Sequence, residues 1–155
     1  MGKVLDLILD TSILIASERR GEGIEDILRA VRDAHGEIDV ALSAVSVVEL
    51  THGIYRANAD ADRIRRRIFA EGAFQNLVKY PVSFEIACLA GQIEGDQAAR
   101  GNIIAFEDLI IGATALHLGL RCGVSESETS ATDSRTQRRD ALGTKPALEV
   151  PSGFL

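Results

Sequence analysis

The sequence predicts an α/β fold, a parallel sheet with helices on its faces. Three observations predict it. Short apolar runs rich in branched residues recur at 4–9, 39–43 and 77–82, which is the length and composition of buried strands. Segments of helical periodicity separate and follow them. The resulting order, a strand and then two helical segments, three times over, suits parallel strands joined by crossover connections.

The first strand, VLDLIL, ends at Asp10, and DTSILIASER after it predicts a turn or short helix. Gly21 and Gly23 break the chain. Ile24, Ile27, Leu28 and Val31 stand at i, i+3, i+4 and i+7, so 24–34 is an amphipathic helix. The second strand is DVALS. Ser46 and Glu49 have the spacing of a capping box, and the helix it opens runs to about residue 58. Residues 60–74 form a helix with Ile64 and Ile68 inward and Arg63, Arg65, Arg66 and Arg67 around it. After the third strand, Ser83 caps a helix over 84–100 whose apolar stripe is Ile86, Leu89, Ala90 and Ile93. Ile103 and Ile104 lead into a helix over 106–118, which Gly119 stops. Residues 121–145 are sparse in apolar side chains and rich in Ser, Thr and charge. An atypical, flexible segment without a strand is expected there, within a single domain spanning 1–155.

Composition excludes several function classes. Acids number 23 and bases 17, and the net charge of −6 argues against a protein that coats polyanions. No apolar run nears the roughly 18 residues of a membrane helix, and no basic segment opens a signal peptide. Two cysteines, Cys88 and Cys122, make no disulfide framework, so a reducing cytoplasm is expected. Without C-x-x-C or clustered His and Cys, a structural zinc site is excluded.

Three acids stand in apolar surroundings. Asp10 ends a strand, Glu49 lies in VSVVEL, and Asp108 lies in IIAFEDLIIGATAL. Buried carboxylates are costly unless paired or bound to metal, and three facing one another would be relieved by a divalent cation. Mg²⁺ and Mn²⁺ favour oxygen ligands and can activate water beside a phosphoryl group. That pattern points to a metal-dependent hydrolase acting on phosphodiesters. Each acid also has a plainer reading. Asp10 could cap a helix, Glu49 could complete the Ser46 capping box, and Asp108 with Glu107 could complement a helix dipole.

The stretches LILDTSILIASERRG, ALSAVSVVELTHGIYRA and IIAFEDLIIGATALHLG, in that order and spacing, resemble the PIN-domain ribonucleases of the VapC toxin type. The resemblance covers residues 5–119. It implies a three-layer α/β/α fold and an Mg²⁺- or Mn²⁺-dependent endoribonuclease. By motif position it carries over Asp10, Glu49 and Asp108 as catalytic, metal-holding acids, with Ser12 in support of the site and Thr11 structural. Glu107 turns about 100° away from Asp108 on a helix and is given a supporting role at most. The family continues with a strand and a polar motif, N-x-x-D/H-F, which supplies a fourth group. Residues 123–145 lack that motif; Asp133 is the nearest substitute as a metal ligand, and Glu126 the next.

The resemblance also implies an RNA substrate, a neutralising VapB-type antitoxin and a homodimer. Arg19 and Arg20, just past Asp10, are candidate RNA phosphate contacts. The arginines at 63 and 65–67 with Arg56 form the largest basic cluster, otherwise simply a solvated helix face. His35, His52 and His117 have no partner in sequence that would make a histidine-based ribonuclease. A receiver-like domain or a haloacid-type phosphatase fits poorly, because the first needs a well-placed Lys and the second a D-x-D. The competing class is a catalytically impaired PIN-like module that binds RNA or protein and lacks the fourth site residue.

Overall fold

A computed structural model of the chain describes residues 7–123 and the backbone of Thr144–Lys145. Its elements run β1 (Leu7–Leu9), α1 (Thr11–Arg19), α2 (Ile24–His35), β2 (Val40–Ser43), α3 (Ala44–Tyr55), α4 (Asp60–Asn76), β3 (Val78–Tyr80), α5 (Phe84–Ala99), α6 (Phe106–Leu118), β4 (Arg121–Gly123) and β5 (Thr144–Lys145). The sheet order is β3-β2-β1-β4-β5. The first four strands are parallel and β5 is antiparallel.

Alternation along the strands divides the core. Leu7 and Leu9, with Val40 and Leu42, face a cluster built by α1, α2, α3 and α4. Ile8 and Ala41 face the other way, onto Ile111 and Ala115 of α6. Strand side chains alternate between faces, so three-residue strands can serve both layers only if nearly every residue is apolar. A further cluster joins α5 to α6 through Ile86, Ala90, Leu109, Ile110 and Ala113. The arrangement is three layers, α/β/α.

Local chemistry explains the boundaries. Ser43 and Ser83 cap α3 and α5, their hydroxyls accepting from Val45 N at 3.4 Å and Ile86 N at 3.2 Å. Gly119 ends α6 at φ +67°, a left-handed conformation in which a Cβ is strained. Thr114, fully buried inside α6, satisfies its hydroxyl on Ile110 O at 2.7 Å.

Three sequence expectations need correction. The cap of α3 is Ser43, three residues before Ser46, so the Ser46–Glu49 capping box does not exist. Ile64 and Ile68 are 60% and 66% exposed, and α4 instead buries Phe69, Ala70 and Ala73. Small alanines let α4 approach its neighbours closely, whereas the periodicity argument favoured the larger side chains. The fold does not stop near residue 119: Arg121–Gly123 form β4, which pairs with β1 in the interior of the sheet. Three residues, one of them charged and one a glycine, are too few to show a strand pattern. The undecided segment after Asp10 is a nine-residue helix, α1. No helix among the described residues is long and apolar enough to cross a membrane.

Candidate active site

Parallel α/β sheets place ligands beyond the carboxyl ends of their strands. Asp10 is the first residue after β1, and 8% exposed. Its N–H donates to Gly123 O at 2.9 Å, which ties it to the end of β4. Its Oδ1 accepts from Ser12 N at 3.0 Å and so caps α1. The capping reading therefore holds, and it uses one of the two carboxylate oxygens while fixing the side chain at the sheet edge.

Thr11 turns the other way. Its Oγ1 donates to Ser46 Oγ at 2.8 Å, and both residues are buried. This bond joins the first turn of α1 to the first turn of α3. One turn further along α3 stands Glu49, half-buried, with Oε2 lacking any hydrogen-bond partner among the described residues. Ser12 Oγ is buried and unpartnered as well. An unmet buried polar atom costs about 1–3 kcal/mol, so both atoms have hydrogen-bonding capacity to offer a ligand.

Glu107 and Asp108 begin α6, which packs against α3. Glu107 is half-buried and Asp108 exposed. Burial pushes the Glu49 carboxyl above the usual carboxylate range. A hydrogen bond from Thr11 opposes this, and the charges of Glu107, Asp10 and Asp108, in that order, add to it. Glu107 and Asp108, adjacent on α6, both lie within electrostatic reach of Glu49.

Glu49 therefore stands within electrostatic reach of three further acids, Asp10, Glu107 and Asp108. Among the described residues no group of three acids, histidines or cysteines stands close enough to cage a metal ion. The donor set still fits Mg²⁺ or Mn²⁺ in kind, since it offers hard carboxylate oxygens and two unmet atoms, Glu49 Oε2 and Ser12 Oγ. Mg²⁺ in particular is held through one or two carboxylates plus waters and substrate phosphates, and needs no all-protein cage. Asp133 and Glu126 lie outside the described residues.

The predicted basic contacts separate. Arg19 lines a cleft of about 430 Å³ together with Glu49, His52, Arg56 and Arg66. Arg20 points its guanidinium at Glu22, at 2.7 and 2.8 Å, and at Ser17 Oγ, at 2.9 Å. That fork holds the Glu22 carboxyl down at about 2. Arg63 binds Asp60 and Ala57 O, and Arg65 binds Glu18 and Asp62. The expected basic patch is thus two sets, and only Arg56 and Arg66 share the cleft with Glu49. Spacing could have found Arg56, which stands at i+7 from Glu49 on one face of a helix.

The PIN domain family model matches residues 7–122. The chain belongs to the PIN domain family. The match reaches into β4, so the PIN domain includes the strand that sequence patterning missed. Solved structures share this fold. A VapBC complex of Rickettsia felis, bound to a DNA fragment of its promoter, is 15% identical with a TM-score of 0.67, covering 79% of this chain and 89% of that one. A VapBC-family toxin–antitoxin structure from Mycobacterium tuberculosis is 21% identical with a TM-score of 0.63, covering 82% and 94%. VapBC of nontypeable Haemophilus influenzae is 20% identical with a TM-score of 0.64, covering 79% and 87%. At these identities the likeness is one of fold. No curated protein matches the chain by sequence.

Proposed function

We propose that this PIN domain is a metal-dependent endoribonuclease of the VapC toxin type, acting in the cytoplasm and neutralised by a VapB-type antitoxin. The observation that carries the reading is the carboxylate cluster at the end of β1, with Glu49 Oε2 buried and unmet. Membership of the PIN family and the VapBC-like fold support it. Asp10, Glu49 and Asp108 are the acids proposed to hold Mg²⁺ or Mn²⁺, with Glu107 and Ser12 beside them and Asp133 as a further candidate ligand. Homodimer formation belongs to the same reading.

The chain's own contribution is placement. Asp10 is fixed by its cap bond and by β4, and Glu49 is fixed by the Thr11–Ser46 bond one turn before it. The dense negative charge on these acids attracts a cation and disfavours a bare phosphate, so cleavage depends on added divalent ion. A divalent ion bound there would acidify water and neutralise charge developing on a phosphoryl group. Water as nucleophile leaves a 5′-phosphate and a 3′-hydroxyl.

The test is cleavage of single-stranded RNA with Mg²⁺ or Mn²⁺, with and without EDTA, beside Asp10→Asn. Metal-dependent cutting lost in the variant is expected. Ends carrying 2′,3′-cyclic phosphate would overturn the mechanism. A second reading, a non-catalytic PIN-like module that binds RNA or protein, is favoured by the lack of three acids at caging distance among the described residues. It is selected if RNA binds but is not cut at any metal concentration.

A further inference from the structure

The cleft beside Glu49 lies between α1, α3 and α4. Glu49, His52, Gly53 and Arg56 stand at i, i+3, i+4 and i+7 on α3, so they form one stripe. A carboxylate lies at one end of it and a guanidinium at the other, about 10 Å apart along the helix axis. Arg19 closes the cleft from α1, and Arg66 closes it from α4. Arg66 is aimed by donating to Gly53 O at 2.8 Å, a bond that leaves its charge unneutralised. Arg19 and Arg56 have no acidic partner among the described residues. The one other acid in the cleft, Glu18, is already engaged by Arg65 at 2.8 Å. Ile15, Leu50 and Phe69 complete the lining with an apolar surface.

We infer that this cleft is a phosphate-binding track, in which Arg19, Arg56 and Arg66 hold the backbone of single-stranded RNA as it enters the carboxylate cluster. The identity of the substrate rests on the nuclease reading above. Guanidinium forks match phosphate oxygens, and the apolar lining suits ribose. A cleft of this size admits an unstacked nucleotide and not a duplex. Three arginines gathered here also explain how a chain of net charge −6 attracts RNA: the positive charge is concentrated at one cleft rather than spread over the surface. The track leads to the carboxylate cluster, which favours RNA over an acidic peptide as its occupant. A Cβ built at Gly53 meets no atom within 4 Å, so the cleft has open space at that position.

The test is fluorescence anisotropy of the full chain with a labelled single-stranded RNA at low salt in EDTA, where cutting cannot interfere. Arg19→Ala with Arg56→Ala should weaken binding by about tenfold or more, and should lower the log–log salt slope by about 1.4, since each phosphate contact to a single strand contributes about 0.7. Gly53→Leu should weaken binding to a similar degree by filling the cleft, with an unchanged or higher Tm to show that the fold is intact. Arg29→Ala, on α2 outside the cleft, should bind as the wild type does. Unchanged affinity and slope in the arginine double variant would overturn the inference. So would equally tight binding of polyglutamate, or no wild-type binding at all. Loss of binding in these variants with no cleavage by the wild type in Mg²⁺ would retire the nuclease reading and leave the track standing. Cleavage with unchanged binding would do the reverse.

Discussion

Two groups of charged residues each send one acid into the same cleft, Glu18 from one and Glu49 from the other, and the fold treats the groups in opposite ways. On α4, Arg65 bridges Glu18 and Asp62, both at 2.8 Å, and Arg63 pairs with Asp60 at 3.2 Å. Each of these charges meets its opposite within reach. At the end of β1 the fold instead sets Glu49 within electrostatic reach of Asp10, Glu107 and Asp108; burial first, and then their like charge, pushes its carboxyl up. Paired charges brace helix against helix. The gathered acids lower stability until something positive arrives, and that separates a site from a scaffold.

The comparison breaks most visibly through Asp10→Asn. Metal-supported RNA cleavage should fall by about a thousandfold, because several kcal/mol of charge stabilisation would be lost, while the cap bond to Ser12 N survives and Tm moves little. Next is Arg65→Met, which strips Glu18 of its partner. Leaving the buried Glu18 carboxylate unpaired should lower the urea midpoint, and adding Glu18→Gln should restore most of it. If neither substitution matters, the α4 charges are not the brace described here. Glu49→Gln should move the other way. Its folded pKa is raised, so metal-free protein should gain stability as pH falls through that value, and the variant should be less sensitive to pH in this range. At neutral pH the variant should melt higher than the wild type in EDTA while losing cleavage. The smallest effect belongs to Ile68→Ser, which should change stability by less than about 0.5 kcal/mol because the side chain faces solvent.

The sequence made some of this plain and hid the rest for physical reasons. α2 was legible because Ile24, Ile27 and Val31 are large, periodic and buried. The end of α6 was legible because Gly119 takes the left-handed conformation. β4 was not, since Arg121, Cys122 and Gly123 carry no strand pattern and are held by pairing with a strand more than a hundred residues away. α4 was given the wrong inward face because alanines earn little weight in a hydrophobic pattern. At the site, Asp10 was marked by its place after an apolar strand. Glu49 needed the true cap at Ser43 before its capping role could be set aside. Arg19 and Arg20 are neighbours with like chemistry, and only the fold sends one into the cleft and the other onto Glu22.

The bond from Asp10 N to Gly123 O also bears on synthesis. A ribosome releases residues in order, and β1 sits in the middle of its sheet with one neighbour supplied by residues 121–123. Closing so long a loop is slow, and it cannot begin until that segment has emerged. The nascent chain thus carries Asp10 through most of its own translation without the strand that fixes it. For a chain proposed to cut RNA, topology delays maturation of the site until most of the protein has been made.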